Sequence, residues 1–560
     1  MPKIWDVNPR TEKDLISHLL KNRGISESSA DSFLNPDYGA LNDPFLFADM
    51  KKAAERILQA VARRDKILIY SDYDADAVTA NAALFRTLKF LGSEPEVYIP
   101  DRFSEGYGLN LEAFEKIKAR GIKLVITVDC GTNSVSEAAF CRANGIDLII
   151  TDHHEITAAK PNAFALINPK NPDEKYPYHE LTGVAVAWKL ASALLLLALD
   201  CAEIPAGKNL PRGFEKWLLD LVAIGTIADC HSLLGENRIL VKYGLQVLGK
   251  TKWVGLRALI KSASPRTLDA HAVAFMIAPR INAAGRIEHA RIAFDLLVCD
   301  NPELAGQMAE ELERLNAKRQ MLTETVMSEA RAQIAGLEAN KVLLACGNDW
   351  PKGVVGLVAG RLAEEFGKPV LVMEKGAEHA TGSARSVSAF NIVKALSHSK
   401  EFLVKYGGHA AAAGFTLRNA DIDFLYRRIL EYADENLASS ALEQYLQIEA
   451  EIFPAEINFK TFEDIERMAP FGAGNSRPRL ALMGAVVSDL RTVGKDNAHL
   501  QLGVRAGGQP FKCIGFNFGW AAKQISAGER IDLAFEMLSD EWNGFKNLKL
   551  RILDFRKTNG

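Results

Sequence analysis

The chain has 560 residues, with 67 Lys and Arg against 70 Asp and Glu, a formal net charge of −3, and 48% hydrophobic residues. That hydrophobic share excludes an intrinsically disordered chain, and the near-neutral balance argues against a protein that binds nucleic acid through bulk positive charge, while leaving room for a local basic groove. At roughly 100–200 residues per domain, the length suits about three or four domains, each able to bury a core.

Residues 1–62 read as a helical N-terminal segment, with periodic apolar positions in Leu15–Leu20 and Ala53–Val61. Its first residues, MPKIWDVNPRTEKDL, lack the basic end and apolar run of a secretory signal, so the expected location is the cytoplasm. From residue 63 the apolar runs Ile67–Tyr70, Leu124–Val128 and Leu148–Thr151 alternate with helical segments such as Ser134–Asn144. This alternation predicts a parallel sheet covered on both faces, over residues 63–235. The most apolar stretch, Gly183–Leu199, carries Lys189 near its middle and falls short of the ~20 residues that span a bilayer, so it reads as a buried helix. Phe214–Ile227 reads as another apolar helix.

A helical connector is expected over 236–340, dominated by one long helix that Asn301 caps, that has Pro302 at its first position and that runs to about Ile334. Residues 341–440 then form a smaller α/β domain: strand KVLLAC, a helix from Gly353, strand PVLVM, TGSARS and the Gly-rich KYGGHAAAAGF. Over 445–560, five apolar or alternating runs separated by Gly, Asn and Asp predict a small β-barrel. The seven cysteines (130, 141, 201, 230, 299, 346, 513) include no Cys-x-x-Cys pair, which disfavours a disulfide framework and a thiolate zinc site.

Chemistry enters where acidic residues follow strands. Ile67–Tyr70 runs into Ser71-Asp72-Tyr73-Asp74-Ala75-Asp76, Leu124–Val128 into Asp129, and Leu148–Thr151 into Asp152-His153-His154. The carboxyl ends of parallel strands share one edge, so these side chains converge on one crevice. Carboxylates crowded there repel one another unless a cation neutralises them, and oxygen ligands with an imidazole or two suit Mn2+ or Mg2+. A lone Asp-x-Asp is usually a solvated turn, and adjacent histidines on an extended chain point opposite ways. The weight lies in three such sets at successive strand ends.

Asp72-Tyr-Asp-Ala-Asp76, Val128-Asp-Cys-Gly131, Asp152-His-His154 and Gly225-Thr-Ile-Ala-Asp229 resemble the successive motifs of the DHH phosphoesterase superfamily. With Pro279-Arg-Ile-Asn-Ala-Ala-Gly-Arg286, Gly382-Ser-Ala-Arg-Ser386 and Gly407-Gly-His409 following in order, the chain resembles the RecJ family of single-strand-specific exonucleases from about residue 60 onward. The resemblance implies an α/β multidomain protein: a DHH parallel-sheet domain, a long connecting helix, a DHH-associated domain and an OB-like barrel. It makes Asp72, Asp74, Asp129, His153 and Asp229 the ligands of two Mn2+ or Mg2+ ions, with Asp129 bridging and His154 the catalytic imidazole. Asp76 and Asp152 lie in the same motifs and either bind metal or hold ligands in place.

Arg102, Tyr107, Arg280, Asn282, Ser383, Arg385 and His409 become the nucleic-acid contacts, with Tyr107 stacking on a base and narrowing the path against duplex. If Ala410–Ala413 starts a helix, its free amides face phosphate; otherwise the run is a Gly-rich turn and a packed Ala helix. The barrel adds Phe511, Lys512, Phe516, Phe518, Trp542, Phe545, Lys546, Lys549 and Arg551 as mixed aromatic and basic residues that serve stacking or the core.

The implied activity is 5′–3′ hydrolysis of single-stranded DNA to 5′-mononucleotides in repair and recombination, by a cytoplasmic monomer without a membrane anchor. Its implied partners are single-strand-binding protein and a RecQ-type helicase. Two other readings stay open: a DHH phosphodiesterase for short oligonucleotides or cyclic dinucleotides, and a non-catalytic DNA-binding scaffold. Two positions depart from the family pattern, Ala77 for the usual Gly and Pro351 in place of His in Trp350-Pro-Lys-Gly353. A Gly there signals a turn with positive φ or a close approach, so the Ala77 methyl is expected to slow turnover.

Overall fold

The computed structural model describes residues 3–157, 159–200, 213–542 and 545–558. They form two compact units, one spanning Leu41–Glu443 and the other combining 3–40 with 444–558.

The larger unit opens with five parallel strands, ordered Glu96–Tyr98, Ile67–Ser71, Leu124–Val128, Asp147–Thr151, Ala165–Ile167. Every residue of Ile67–Ser71 and Leu124–Val128 is buried, which is why these strands read as unbroken apolar runs. Helices Leu111–Ala119 and Val135–Ala143 cover the sheet through Phe114, Ile117, Ala138 and Cys141, packed on Leu68, Tyr70, Val125 and Leu148. Helices Ala75–Phe90, Gly183–Asp200 and Leu219–Ala228 pack on one another. The last is shorter than the sequence suggests, because Phe214–Leu218 forms a separate 3-10 turn. The chain winds one way from Ile67–Ser71 to Glu96–Tyr98 and the other way from Leu124–Val128 onward. A doubly wound sheet leaves its ligand crevice at that reversal, between the carboxyl ends of Ile67–Ser71 and Leu124–Val128.

Helix Pro302–Ile334 has 33 residues, and Asn301 caps it by accepting from the N–H groups of Glu303 (2.9 Å) and Leu304 (3.1 Å). It leads into a mixed sheet ordered Leu403–His409, Ala412–Arg418, His379–Arg385, Val370–Lys375, Leu343–Asn348, in which only the last pair is parallel. Helix Lys352–Phe366 packs with the end of the long helix through Val354, Val355, Val358, Val326 and Ala330, and helices Ile392–His398 and Ile422–Asn436 pack in a separate core.

The expected helix at Ala410–Ala413 is absent. Leu403–His409 and Ala412–Arg418 form a hairpin, and Ala413, Phe415 and Leu417 are buried at alternate positions. That period of two, set by pairing with His379–Arg385, overrides the helix preference of an Ala run.

In the smaller unit, strands Leu480–Val493, His499–Ala506, Gln509–Gly515, Phe545–Lys557 and Arg530–Trp542 pair in that order, and Arg530–Phe535 returns to Leu480–Val486. The sheet is therefore a closed five-stranded barrel, filled by Leu482, Val487, Leu502, Val504, Leu533, Phe535 and Ile552. Closure pairs each barrel strand on both sides, so none of the five is left as a free edge. The N-terminal stretch is not wholly helical, because Ile4–Val7 is a strand paired in parallel with Tyr445–Ile448. Residues 3–40 belong with the barrel, whereas helix Met50–Arg63 belongs with the parallel sheet, a division set by contacts too distant in sequence for local periodicity to show. Among the described residues, no helix is long and apolar enough to cross a membrane.

Candidate active site

The motif residues gather at the sheet's reversal point. Asp72 follows Ile67–Ser71, and Asp74 caps helix Ala75–Phe90, its Oδ1 accepting from the Ala77 N–H at 3.1 Å. Asp129 follows Leu124–Val128 with left-handed backbone (φ 61°), its N–H donating to Thr151 O at 2.9 Å. His153 follows the next strand, with Nε2 at 3.0 Å from Asp129 Oδ1 and 3.7 Å from Asp229 Oδ2 at the end of helix Leu219–Ala228. Asp72 Oδ1, Asp129 Oδ1, Asp229 Oδ2 and His153 Nδ1 are all buried without a hydrogen-bond partner. Burying such groups unpaired costs several kcal/mol, on the order of 1–3 each. The donor set of carboxylate oxygens and imidazole fits divalent Mn2+ or Mg2+, which would give the three carboxylate oxygens their partner and would take His153 through Nε2, the ring nitrogen that faces them.

Asp76 and Asp152 are engaged elsewhere. Asp76 accepts from the N–H groups of Gly183 (2.7 Å) and Val184 (3.0 Å), pinning the start of helix Gly183–Asp200. A Cβ on Gly183 would stand 2.4 Å from Asp129 Oδ1, so only glycine lets this helix begin against that carboxylate. Asp152 accepts from Thr132 N (2.8 Å), His153 N (2.7 Å) and His154 Nδ1 (2.7 Å), holding both histidines in place.

Burial, reinforced by Asp74, drives Asp72 well above the usual carboxylate range. Burial together with neighbouring carboxylates does the same to Asp76 and Asp129, and pushes Asp229 up to about 7. Burial, with the His154 charge beside it, pushes His153 well down, leaving a neutral imidazole suited to ligation. Burial opposes charge on His154 too, but the hydrogen bond and charge of Asp152 raise it to about 9. Two adjacent histidines thus take opposite states, and Tyr107 Oη lies 3.2 Å from His154 Nε2.

Ala77 departs from expectation. It sits in the first turn of helix Ala75–Phe90, fully buried and outside the left-handed region, so its methyl strains nothing at the ligand loop. Pro351 precedes helix Lys352–Phe366 as its N-cap.

The second sheet presents Ser383 and Arg385 on one face, with Arg385 Nη1 donating to Ser383 Oγ at 2.6 Å. His409 lies opposite Ala412, and Ala412 opposite Arg385, which places His409 exposed on the same face at the hairpin tip. The side of helix Lys352–Phe366 packs against this pair: a Cβ on Gly356 would stand 3.1 Å from Arg385 Nη2 and 3.2 Å from Ser383 Oγ. Arg102 lies over the Tyr73 ring at 5.0 Å. Arg280 and Asn282 have other partners: Arg280 Nε donates to Glu313 at 2.6 Å, and Asn282 Oδ1 accepts from Ala75 N at 2.8 Å, steadying the ligand loop.

Sequence reasoning passed over Arg286, Arg319 and His231. Burial, then Arg102 and Arg319, lower Arg286 to about 10, and its Nη1 donates to Gly353 O at 3.3 Å. Arg319, on the long helix, has its Nε buried without a partner. Among the described residues, Arg102, Arg286, Arg319 and Arg385 form no ion pair. Arg102, Arg319 and Arg385 all repel Arg286, and the Asp74 carboxylate partly offsets them. Arg286 closes a motif whose other members were noticed; His231, whose ring centroid lies 4.9 Å from that of His153, had no signal beyond standing two residues after Asp229.

On the barrel, Phe516 and the unforeseen Trp520 are exposed, and Trp520 stacks with Phe518 (5.7 Å) and with Phe555 (6.0 Å), which lie 6.3 Å from each other. Lys549 pairs with Asp540, and Arg551 with Glu536. The side chains of Trp542 and Phe545 lie outside the described residues.

The model of the DHH family, N-terminal domain, matches residues 66–226, that of the DHHA1 domain matches 339–439, and that of the RecJ OB domain matches 448–554. The chain is 31% identical over 518 residues to the single-stranded-DNA-specific exonuclease RecJ of Escherichia coli (strain K12), covering 90% of this chain and 89% of that one. It belongs to the RecJ family. The Bacillus subtilis (strain 168) RecJ is 39% identical over 549 residues, with 96% of this chain and 67% of that protein covered. The crystal structure of RecJ in complex with Mn2+ from Thermus thermophilus superposes with a TM-score of 0.82 at 30% identity, over 97% of this chain and 76% of that one. A further RecJ structure from the same organism holds Mg2+. The fold is that of the RecJ family in all its parts: DHH domain, DHHA1 domain and OB barrel.

Proposed function

We propose that the chain is a single-stranded-DNA-specific exonuclease that hydrolyses phosphodiester bonds from the 5′ end and releases 5′-mononucleotides, in DNA repair and recombination. What carries this reading is one juxtaposition within the larger unit: a buried, unpartnered carboxylate and imidazole cluster together with arginines that have no carboxylate partner. The first binds cations and the second anions, the two needs of a phosphodiester undergoing attack.

In this reading Asp72, Asp74, Asp129, His153 and Asp229 would hold two divalent ions, Mn2+ or Mg2+, with Asp129 as the ligand they would share. When bound, such a pair activates water and stabilises the leaving oxygen of an in-line displacement at phosphorus. His154, held by Asp152 and raised to about 9, carries its proton at neutral pH and offers charge to the reacting phosphate. Ser383 and Arg385 grip a phosphate, with Gly356 leaving room beside them and Arg102 and Arg286 nearby. Tyr107, 56% exposed, offers a ring to a base, and His409, Arg280 and Asn282 complete the proposed strand path. Residues 63–235 supply the chemistry, 236–340 connect, 341–440 hold phosphate and 445–560 bind the strand. The same reading takes the enzyme as a cytoplasmic monomer working with single-strand-binding protein and a RecQ-type helicase.

Single-stranded DNA labelled at its 5′ or 3′ end, incubated with the protein and Mn2+ or Mg2+, tests the reading. Early release of a labelled mononucleotide from the 5′-labelled strand alone supports it, and cleavage of duplex and single strand at equal rates contradicts it.

A further inference from the structure

Helix Leu219–Ala228 ends at Asp229, and Cys230 turns the chain back with left-handed backbone (φ 57°). The turn folds His231 beside Asp229, with Nε2 3.3 Å from Asp229 Oδ2. On the other side of the ring, Nδ1 lies 3.2 Å from the Glu180 carbonyl oxygen, which also accepts from Asn237 Nδ2 at 2.6 Å. A carbonyl oxygen only accepts, so Nδ1 carries the hydrogen. In a neutral ring Nε2 then presents its lone pair to Asp229 Oδ2, a buried oxygen with no hydrogen-bond partner. Two electron-rich atoms at that distance repel unless a cation joins them. An imidazole whose far N–H is spent on a backbone carbonyl is also the arrangement that orients a metal-bound histidine.

We infer that His231 Nε2 is a further metal ligand on the Asp229 side of the centre, so that one ion takes two imidazoles, from His153 and His231, with the Asp229 carboxylate. Ligand atoms of these three residues lie within 4.8 Å of one another. This assignment rests on the metal-centre reading above and adds a sixth protein ligand to its five. A second nitrogen shifts the position away from Mg2+, which prefers oxygen and keeps its waters, toward Mn2+ and later first-row ions. The other role open to the same geometry is an imidazolium paired with Asp229, which binds no ion and changes no metal preference directly.

The test uses the full chain stripped with a chelator, titrated calorimetrically with MnCl2 and MgCl2, and examined by pulsed electron paramagnetic resonance with Mn2+ bound. The wild-type protein is expected to show two imidazole nitrogens coupled to bound Mn2+. His231→Ala is expected to show one, and to bind Mn2+ about tenfold or more weakly, a loss at least equal to that for removing an outer-sphere partner. Mg2+ binding should fall less. His231→Gln keeps the side chain's bulk and a donor for Glu180, and should also lose one nitrogen coupling, so the test survives if the alanine variant does not fold. Asp129→Ala serves as the control for the centre itself. Unchanged nitrogen count and Mn2+ affinity in the His231 variants, with binding lost in Asp129→Ala, would overturn this assignment and leave the centre standing. A wild-type protein that takes up neither ion would overturn both.

Discussion

At the scale of single residues, the proposed metal centre depends also on groups that would not touch an ion. Gly183 is such a group, since a methyl there would stand 2.4 Å from Asp129 Oδ1 and force the carboxylate aside. Gly183→Ala should therefore keep its far-ultraviolet circular dichroism while losing Mn2+ affinity by about tenfold to a hundredfold, the range for disturbing a ligand's support. Calorimetric titration with Mn2+ reads this directly; wild-type affinity would show that Asp129 has room to move. Ala77 makes the opposite case. The absence of the family's usual Gly suggests a strained loop, but the residue lies in a regular helical turn, so Ala77→Gly should not raise turnover. It should instead cost about 1–2 kcal/mol, from the poorer helix propensity of glycine and a lost buried methyl, and lower the midpoint of thermal unfolding. Faster single-strand hydrolysis by Ala77→Gly would restore the strained-loop idea.

Among elements, what holds the site is the way helices meet the sheet. Helix Gly183–Asp200, whose start carries Gly183 beside Asp129, is fixed farther along by Lys189, which pairs with Glu236 in the helix Gly235–Leu248. Glu236 also accepts from Tyr176 Oη at 2.8 Å and Asn42 Nδ2 at 2.9 Å. Glu236→Ala leaves the Lys189 charge buried and unpaired, and should destabilise the larger unit by about 3–5 kcal/mol, seen as an early thermal transition. Arg385 belongs to this scale because strand His379–Arg385 and the side of helix Lys352–Phe366 at Gly356 together make its site. Arg385→Ala should weaken single-strand binding, reduce the slope of log affinity against log salt by about one, and leave Mn2+ affinity unchanged. A loss of Mn2+ affinity with an unaltered slope would remove Arg385 from the phosphate grip.

These elements also mark what the sequence could and could not reveal. Asp72, Asp129 and His153 were legible because each follows an apolar run that only a buried parallel strand explains, and parallel strands bring their ends together. The helix Pro302–Ile334 was legible from Asn301, Pro302 and its period. The hairpin at Leu403–Arg418 was not, since an Ala run favours helix locally and only pairing with His379–Arg385 sets the period of two. Arg286 and His231 stayed hidden for a related reason. One depends on the packing of a second domain and the other on a left-handed turn at Cys230, and neither leaves a periodic trace.

For the whole molecule, two compact units carry a parallel-sheet crevice, a mixed sheet and a closed barrel, the set found in the RecJ family. The proposed chemistry turns on Asp129, which lies between the first strand's carboxylates and His153. The most direct test is the rate of mononucleotide release from 5′-labelled single-stranded DNA at saturating Mn2+, wild type against Asp129→Ala, with folding checked by circular dichroism. A folded Asp129→Ala protein is expected to lose about a hundredfold or more of the rate, since the proposed two-ion site would be without its shared ligand. Retention of more than roughly a tenth of the wild-type rate would contradict a metal centre built on Asp129.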